Sequence, residues 1–354
     1  MAVEKSKVER PSRPVTLKDV AEAANVSTAA VSRVLHGGGS SVRVSEVRAE
    51  QIRAVAERMN YRVNAVARNL RMSKSHTIGV LFENLKGLSD GPLYITYLLD
   101  GVSSVLFKNG YRLSVLAEVD HDNVIGSLGD GQMDGVIWCK LARDEETINL
   151  IRKTPIPIVA LNAAAPEPGS DVVYVNCDNE GGMELAVAHL WDLGHRNIAF
   201  VHEWEERNTP DCIARLGGYE AAIKKRGGTP FVTESQWFLD SVPAYLQANN
   251  CTAAVGWTES VADRLLQRLS ESGIEVPAQM SVVGFDSTLY CETTTPRLTA
   301  VRQPIREMAA FATQALLDLI SGRDSGQFSK IFPCTFDVRG STAIYLNAEE
   351  SNEP

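Results

Sequence analysis

Arg33 is the residue whose type and setting point most directly to a chemical task. Its planar guanidinium carries parallel N–H donors that match the acceptor edge of guanine in the DNA major groove. It lies in the segment VSTAAVSRVLH, on the polar face of a predicted short helix. The sequence therefore predicts that Arg33 contacts a base. A solvated helix arginine is the alternative interpretation.

The neighbours of Arg33 on this face are small or polar. Thr28 and Ala29 can touch thymine methyl groups or simply permit close approach to DNA. Contacts to phosphate position a protein on DNA without specifying the sequence. The candidates for such contacts are Thr16 through its backbone, Ser27, Ser32, His36 and Ser45.

Two short helices joined by a tight turn are predicted to carry this face. Thr16 is a plausible N-cap with Asp19 three residues on, and Asn25 is a residue type that tolerates the left-handed conformation at a helix end. Ser27 is the next N-cap candidate. A third helix is predicted from about Ser45 to Met59. Its inward residues, and those of the first two helices, are expected to be Leu17, Val20, Ala21, Ala24, Val26, Ala30, Val31, Val34, Leu35, Val47, Ile52, Val55, Ala56 and Met59.

The charge distribution supports a nucleic-acid-binding head on a different kind of body. Residues 1–76 contain 14 Lys and Arg against 7 Asp and Glu, a net charge of +7. The whole chain of 354 residues has a net charge of −9, so the remainder carries −16. A basic head attracts phosphate, whereas the acidic body does not.

Metal-binding and nucleotide-binding patterns are missing from the sequence. It contains no HExxH, and the glycine-rich loop 37–41 lacks the Lys-Ser/Thr of a nucleotide-binding loop. We therefore expect no catalytic residue, no metal and no cofactor. The six scattered cysteines are expected to be buried free thiols, and His189 and His195 to pack at helix ends.

Strand and helix signals alternate from Thr77 onward. Helices are predicted near 93–109, 145–153, 180–193, 213–226 and 259–272. Between them lie the apolar segments TIGVLF, RLSVLA, GVIWC, PIVAL, VVYVN, NIAFV, AAVGW and MSVVGF. Apolar strands followed by amphipathic helices indicate parallel sheets covered on both faces. The number of repeats favours two doubly wound subdomains. No run is apolar and long enough for a membrane span, and the N-terminus lacks the apolar core of a secretion signal.

Several blocks of the chain, in order, resemble one family. The segments 15–37 and 60–81, the interior block from Cys177 to Ala199, RLGGY at 215–219 and SVVGFD at 281–286 are similar to the lactose/galactose repressor (LacI/GalR) family. The resemblance covers roughly residues 15–345. It implies an all-α helix-turn-helix head with a hinge helix, then a periplasmic-binding-protein-like α/β effector domain of two subdomains. The chain is then expected to cross between the subdomains near Asn176, Arg302 and Cys334.

The resemblance also implies a division into domains. We expect a disordered tail (1–13), a DNA-binding domain (14–62), a hinge and linker (63–76), an effector and dimerisation domain (77–345) and a tail (346–354). The effector domain divides into an N-subdomain, about 77–175 plus 303–334, and a C-subdomain, about 176–302 plus 335–345.

The hinge is the second DNA-contacting segment that the resemblance implies. Asn64 caps it, Ala67 and Leu70 correspond to residues that enter the minor groove, and an apolar wedge of this kind can bend DNA. Leu70 could instead only anchor the linker. Val63 stands where the family usually has proline, which implies a less preorganised hinge.

The effector site is likewise implied by the resemblance. Arg215 and Asp286 correspond to residues that hydrogen-bond ligand hydroxyls, and Trp237 to an aromatic that stacks on the ligand. Thr258 stands where many members have asparagine. Tyr94 and Asn162 are candidates from the other subdomain. A purely structural Arg215–Asp286 ion pair, and Trp237 as rim packing, are the alternative interpretations.

The predicted function is a transcriptional regulator, typically a repressor, whose operator affinity is controlled by a small molecule. A carbohydrate is favoured as effector, and a nucleobase-type corepressor is an alternative. A solute-binding protein and a sugar-converting enzyme are the other classes considered. The expected partners are a pseudo-palindromic DNA operator and a second copy of the chain. No membrane partner is expected, and the predicted location is the cytoplasm, on the nucleoid.

Overall fold

The computed structural model divides into two compact units. Unit one comprises residues 1–75 and unit two residues 76–354. The described residues are 13, 15–36, 43–62, 74–82, 93–117, 128–139, 153–163, 172–204, 206–233, 241–323 and 329–345. The predicted helix at 145–153, the loop 37–41, Val63, Trp237, and the hinge residues Asn64, Ala67 and Leu70 lie outside them, apart from residue 153.

The described residues of unit one form three helices around a small apolar core: α1 (Leu17–Ala23), α2 (Thr28–His36) and α3 (Glu46–Arg58). Thr16 caps α1 in a reciprocal capping box with Asp19, as predicted. Asn25 has a φ of 50°, which confirms the left-handed turn before α2. Ser27 Oγ then accepts a hydrogen bond of 3.2 Å from the N–H of Ala30 and so caps α2.

The prediction that Val47 closes this core is wrong. Val47 is 68% exposed, while Ala49, Ile52 and Ala56 on the same helix are buried. At 3.6 residues per turn, Val47 lies about 140° around the helix from Ile52, so both cannot face inward. Val44 and Tyr61, at either side of α3, pack against the core instead.

The described residues of unit two form two six-stranded sheets. The strands of the first sheet are β1 (Thr77–Phe82), β2 (Arg112–Ala117), β3 (Gly135–Cys139), β4 (Ile158–Leu161), β5 (Val173–Cys177) and β11 (Ser329–Phe332). They lie in the order β11-β5-β4-β3-β1-β2, and all strand pairs are parallel. The described helices of this sheet are α4 (Tyr94–Leu106), followed by a 3₁₀ turn (Phe107–Asn109), and α9 (Ile305–Ile320). We refer to this layered unit as the first lobe.

The second sheet has the order β12-β10-β9-β8-β6-β7. Its strands are β6 (Ile198–Val201), β7 (Phe231–Val232), β8 (Ala253–Gly256), β9 (Ser281–Asp286), β10 (Thr299–Arg302) and the antiparallel edge strand β12 (Thr335–Asp337). The helices that accompany it are α5 (Asn179–Asp192), α6 (Pro210–Lys225), α7 (Val242–Ala248), α8 (Glu259–Glu271) and a 3₁₀ helix (Leu289–Glu292). This is the second lobe.

The chain passes between the lobes three times. It leaves the first sheet after β5, returns between β10 and α9, and leaves again between β11 and β12. Apolar strand residues are buried on both faces of the first sheet: Ile137 belongs to the core shared with the helices, and Trp138 to the cluster on the opposite face. This burial confirms the predicted doubly wound architecture. No helix among the described residues is long and apolar enough to cross a membrane.

Candidate functional site

The predicted DNA-reading face of α2 is open to solvent. Thr28, Ala29 and Arg33 are exposed and Ser32 is half-buried, while the helix ends at His36. Ser45 is exposed where α3 begins and makes no side-chain cap bond. Thr16 is engaged in the capping box through both its N–H and its hydroxyl. The turn between α1 and α2 is tied to α3, because Arg48 donates a hydrogen bond of 3.2 Å to the carbonyl of Asn25.

Arg215 is the centre of the polar site in the second lobe. It lies on α6 and is only 1% exposed. Its Nε donates to Oδ1 of Asn179 at 2.9 Å, and its Nη1 donates to the carbonyl oxygen of Trp257 at 2.6 Å. Its Nη2 lies 3.4 Å from Oδ1 of Asp286. The guanidinium carbon also lies 3.7 Å from the ring centroid of Phe285, so the ring and these three groups fix the side chain.

Electrostatics favour the charged form of Arg215. Burial by itself lowers the pKa of Arg215, but the Asp286 and Asp211 carboxylates raise it above its ordinary value. Asp286 ends β9 with a φ of 94° and is 3% exposed. A non-glycine residue with positive φ is uncommon and is often found at functional positions. Arg215 therefore holds a buried positive charge next to the buried carboxyl group of Asp286.

Gln303 also belongs to this site, although no sequence pattern singled it out. It lies on the segment that crosses back to the first lobe, is 3% exposed, and donates from Nε2 to Oδ1 of Asp286 at 2.6 Å. In the sequence, Gln303 is recognisable only as an amide residue between Arg302 and Pro304, where the chain is predicted to cross between the subdomains. Asn179, which fixes Arg215, was likewise present in the matching interior block without an assigned role.

Tyr94 and Asn162 bring the first lobe to the same place. Tyr94 begins α4, and its hydroxyl accepts a hydrogen bond from Nδ2 of Asn162, which follows β4 with a φ of 53°. Burial raises the pKa of Tyr94, and the carboxylates of Asp211 and Asp286 in the second lobe add to the rise. The structure thus places the Tyr94–Asn162 pair of the first lobe near the Arg215–Asp286 pair of the second, close enough for the charge of Asp286 to act on Tyr94.

Thr258 is the predicted ligand contact with a clear local role. Its hydroxyl accepts a hydrogen bond of 3.2 Å from the N–H of Val261 and caps α8. The residue after it, Glu259, is fully buried and bonded to Thr288 rather than to Arg215. Trp237, the predicted stacking residue, is outside the described residues.

Two amide oxygens of the site residues lack a hydrogen-bond partner. Among the described residues, Oδ1 of Asn162 and Oε1 of Gln303 are buried without a hydrogen-bond partner. A buried polar atom without a partner destabilises the folded protein, so such atoms usually form a hydrogen bond to water or to a ligand. The described part of the chain holds no group of three His, Cys, Asp or Glu placed to hold a metal.

His195 has a structural role in the second lobe. His195 is 3% exposed and bonds to Thr252, Ser281 and the carbonyl of Ala343 through its two ring nitrogens. All six cysteines are free thiols, and five of them are buried, as predicted; Cys334 is only half-buried, so the prediction of its burial is wrong.

A helix-turn-helix unit followed by a two-lobed unit with a polar interlobe site defines a class: DNA-binding regulators with a separate ligand-binding domain. Residues 16–64 match the model described as bacterial regulatory proteins, lacI family, and residues 187–342 match that of a periplasmic binding protein-like domain. The transcriptional repressor PurR of Vibrio campbellii is 30% identical over 87% of this chain and 93% of its own length. The chain belongs to the lacI family of bacterial regulatory proteins, and it is a DNA-binding transcriptional regulator.

Solved structures agree with this assignment. A lac repressor dimer bound to operator and the anti-inducer ONPF has a TM-score of 0.78 at 24% identity, over 94% of this chain and all of that one. A complex of the regulator CelR with cellobiose has a TM-score of 0.68 at 26% identity, over 93% of this chain and all of that one.

Proposed function

We propose that this regulator is a repressor controlled by a neutral sugar bound in the cleft between its lobes. The observation that carries the proposal is the convergence of Arg215, Asp286 and Gln303 with Tyr94 and Asn162. An ionised pair and amide groups match the donors and acceptors of sugar hydroxyls, because charge-assisted bonds to hydroxyls are strong and directional. The similarity to a regulator solved with cellobiose supports this choice.

The DNA-binding part of the proposal rests on α2. Arg33 would contact a guanine, Thr28 and Ala29 would lie against bases, and the hinge residues Ala67 and Leu70 would enter the minor groove. A homodimer is proposed because one head contacts only a half-site, and paired heads need a two-fold arrangement. The lac repressor solved as a dimer on its operator supports this assembly.

In this proposal each predicted domain has one task. We propose that residues 14–62 read the operator, that 63–76 transmit the change, and that 77–345 bind effector and form the dimer. The proposal includes no catalytic activity. The protein would act in the cytoplasm, where its operator DNA is.

A thermal-shift panel of neutral mono- and disaccharides, including cellobiose and ribose, tests the effector. A true ligand at about 100-fold excess over its Kd should raise the free energy of unfolding by roughly 2.7 kcal/mol. Asp286→Asn should remove the shift, whereas Asp318→Asn should keep it, because Asp318 is a half-buried carboxylate on α9 that pairs with Arg323 away from this site. If no sugar stabilises the wild-type chain, the proposed ligand class is wrong.

The DNA-binding part of the proposal is tested with an operator duplex selected from random sequences. Arg33→Met should reduce the affinity for the selected duplex toward that for random DNA, with the sugar response of the free protein unchanged. Leu70→Ala should weaken both operator binding and its response to the sugar. Survival of both properties in the Leu70 variant would exclude the wedge.

A further inference from the structure

Glu259 has a buried carboxyl group close enough to Asp286 of the polar site to feel its charge. It is 0% exposed, at the first position of α8. Its Oε2 accepts a hydrogen bond of 2.8 Å from the N–H of Thr288, and its Oε1 accepts one of 2.6 Å from the Thr288 hydroxyl. The Cys291 thiol is a third donor, 3.2 Å from Oε2. None of these donors is a cation, although buried carboxylates are ordinarily paired with one.

The segment that Glu259 holds is the turn after β9. Asp286 and Ser287 both have positive φ values, 94° and 47°, and Thr288 follows them directly. Such a backbone persists only where the surroundings fix it. Glu259 fixes it at Thr288, and Asp337 fixes it at Ser287 by accepting a hydrogen bond of 2.5 Å from the hydroxyl. The orientation of the Asp286 carboxylate toward Arg215 therefore depends on these two anchors.

We propose that Glu259 is a positioning residue of the effector site, and that it holds Asp286 in place for a ligand hydroxyl most firmly while its own carboxyl group is ionised. The proposal rests on the proposed binding of a sugar in this cleft. An ionised carboxylate accepts from both Thr288 donors. After protonation the Thr288 hydroxyl can rotate to accept, but the N–H must then donate to a neutral oxygen, and charge-assisted bonds are roughly twice as strong as neutral ones.

The surroundings place this protonation near neutral pH. Burial raises the pKa of Glu259 to about 7, and the charge of Asp286 contributes. The titratable and charged groups around it are Asp286 on β9, Tyr290 and Cys291 on the 3₁₀ helix, Asp263 on α8, and Arg339 after β12. Burial also raises the pKa of Cys291, so that side chain remains a neutral thiol donor.

Amide exchange of the ligand-free full chain tests the positioning directly. Glu259→Gln should make the Thr288 amide exchange about tenfold faster at pH 8, because the charged acceptor of its N–H is lost. Asp263→Asn is the matched control: that carboxyl lies on the same helix but bonds to Tyr290 and Gln267 instead. Unchanged protection of Thr288 in the Glu259 variant, with the fold intact by circular dichroism, would overturn the proposal.

Calorimetry across pH provides the readout that a merely structural residue would not change. With the panel sugar that gives the largest thermal shift, wild-type affinity should rise by about tenfold between pH 6 and pH 8. Glu259→Gln should bind weakly and without this pH dependence, whereas Asp263→Asn should follow the wild type. Parallel pH profiles for wild type and Glu259→Gln would overturn the proposal. If no panel sugar binds, the proposed effector fails, and the exchange experiment still decides the role of Glu259.

Discussion

At the scale of single residues, the Arg215–Asp286 pair is both a candidate ligand contact and a structural element. Removing one member of a buried ion pair leaves an uncompensated charge, which typically destabilises a protein by 3–5 kcal/mol. We therefore expect Arg215→Ala to lower the free energy of unfolding by about 3–5 kcal/mol in urea titrations. Adding Asp286→Asn should restore part of the loss, because the unpaired charge is then gone.

An exposed pair provides the comparison for this prediction. Arg323 bonds to Asp318 at 2.7 Å, but its side chain is 66% exposed. Solvent screens such pairs, so Arg323→Ala should change the free energy of unfolding by less than about 1 kcal/mol.

The buried pair has its own contradicting outcome. If the changes in the free energy of unfolding caused by the Arg215 and Asp286 substitutions were strictly additive, the two buried charges would not be coupled.

The pKa of Glu259 leads to a second residue-scale prediction, about stability rather than binding. Its ordinary pKa is 4.5 and its folded value is about 7, so the folded protein binds the proton more tightly. The resulting stabilisation is complete below pH 4.5 and is lost as pH rises toward 7, in total about 3 kcal/mol. Glu259→Gln should lack this slope between pH 5 and 7.5. Equal slopes for both proteins in urea titrations at stepped pH would contradict the assigned pKa.

The residues of the site were only partly predictable. Arg215 and Asp286 are far apart in the sequence, and only the resemblance to known blocks brings them together. Gln303 and Asn179 carry no local pattern that distinguishes them from other amides. Their importance comes from the fold, which places one at a crossing and the other at the start of α5, against the same charged pair.

At the scale of elements, two adjacent glycines on α6 differ sharply in their surroundings. A Cβ at Gly217 would meet nothing within 4 Å, whereas one at Gly218 would lie 2.8 Å from Cα of Glu180 and 3.1 Å from Cβ of Met183 on α5. Gly217→Ala should therefore stabilise the chain by up to about 1 kcal/mol through helix propensity. Gly218→Ala should destabilise it, because α5 and α6 must separate.

Thermal denaturation of the two single variants is a matched test, since the substitution and the helix are the same. The sign of the difference is what matters: Gly217→Ala should melt above the wild type and Gly218→Ala below it. If both variants melted higher, the close packing of α5 against α6 would be incorrect.

The sequence pattern predicted five of the six described strands in the first sheet but only three of the six in the second, missing β7, β10, β11 and β12. It also missed the helices α7 and α9, although α9 has 16 residues. Thr16, Asn25 and Ser27 marked the helix-turn-helix ends through their own side-chain chemistry. The strands β7 and β12 have only two and three residues, too few to show a period. Val47 shows the other limit: an apolar residue near the start of a helix does not by itself reveal which face is inward.

At the scale of the whole molecule, we expect DNA to bind to the basic head and the sugar to bind to the acidic body. The head carries +7 and the remainder −16, so the body contributes no general attraction for DNA. Operator affinity should therefore fall steeply with salt through phosphate contacts of the head, whereas binding of a neutral sugar should change little. The two reactions can be measured separately on one chain.

Their coupling gives the last prediction. If a sugar changes operator affinity by some factor, operator must change sugar affinity by the same factor at equilibrium, whichever way the effect runs. Fluorescence anisotropy of a labelled operator with and without sugar gives one factor, and calorimetry of sugar with and without operator gives the other, both at one salt concentration. Arg33→Met should abolish the operator effect on sugar binding while leaving the sugar affinity of the free protein unchanged. Unequal factors would mean that a further equilibrium, such as dissociation of the proposed dimer, accompanies one of the binding steps. Repeating both titrations at two protein concentrations separates that case from a failure of coupling, because only dimer dissociation depends on concentration.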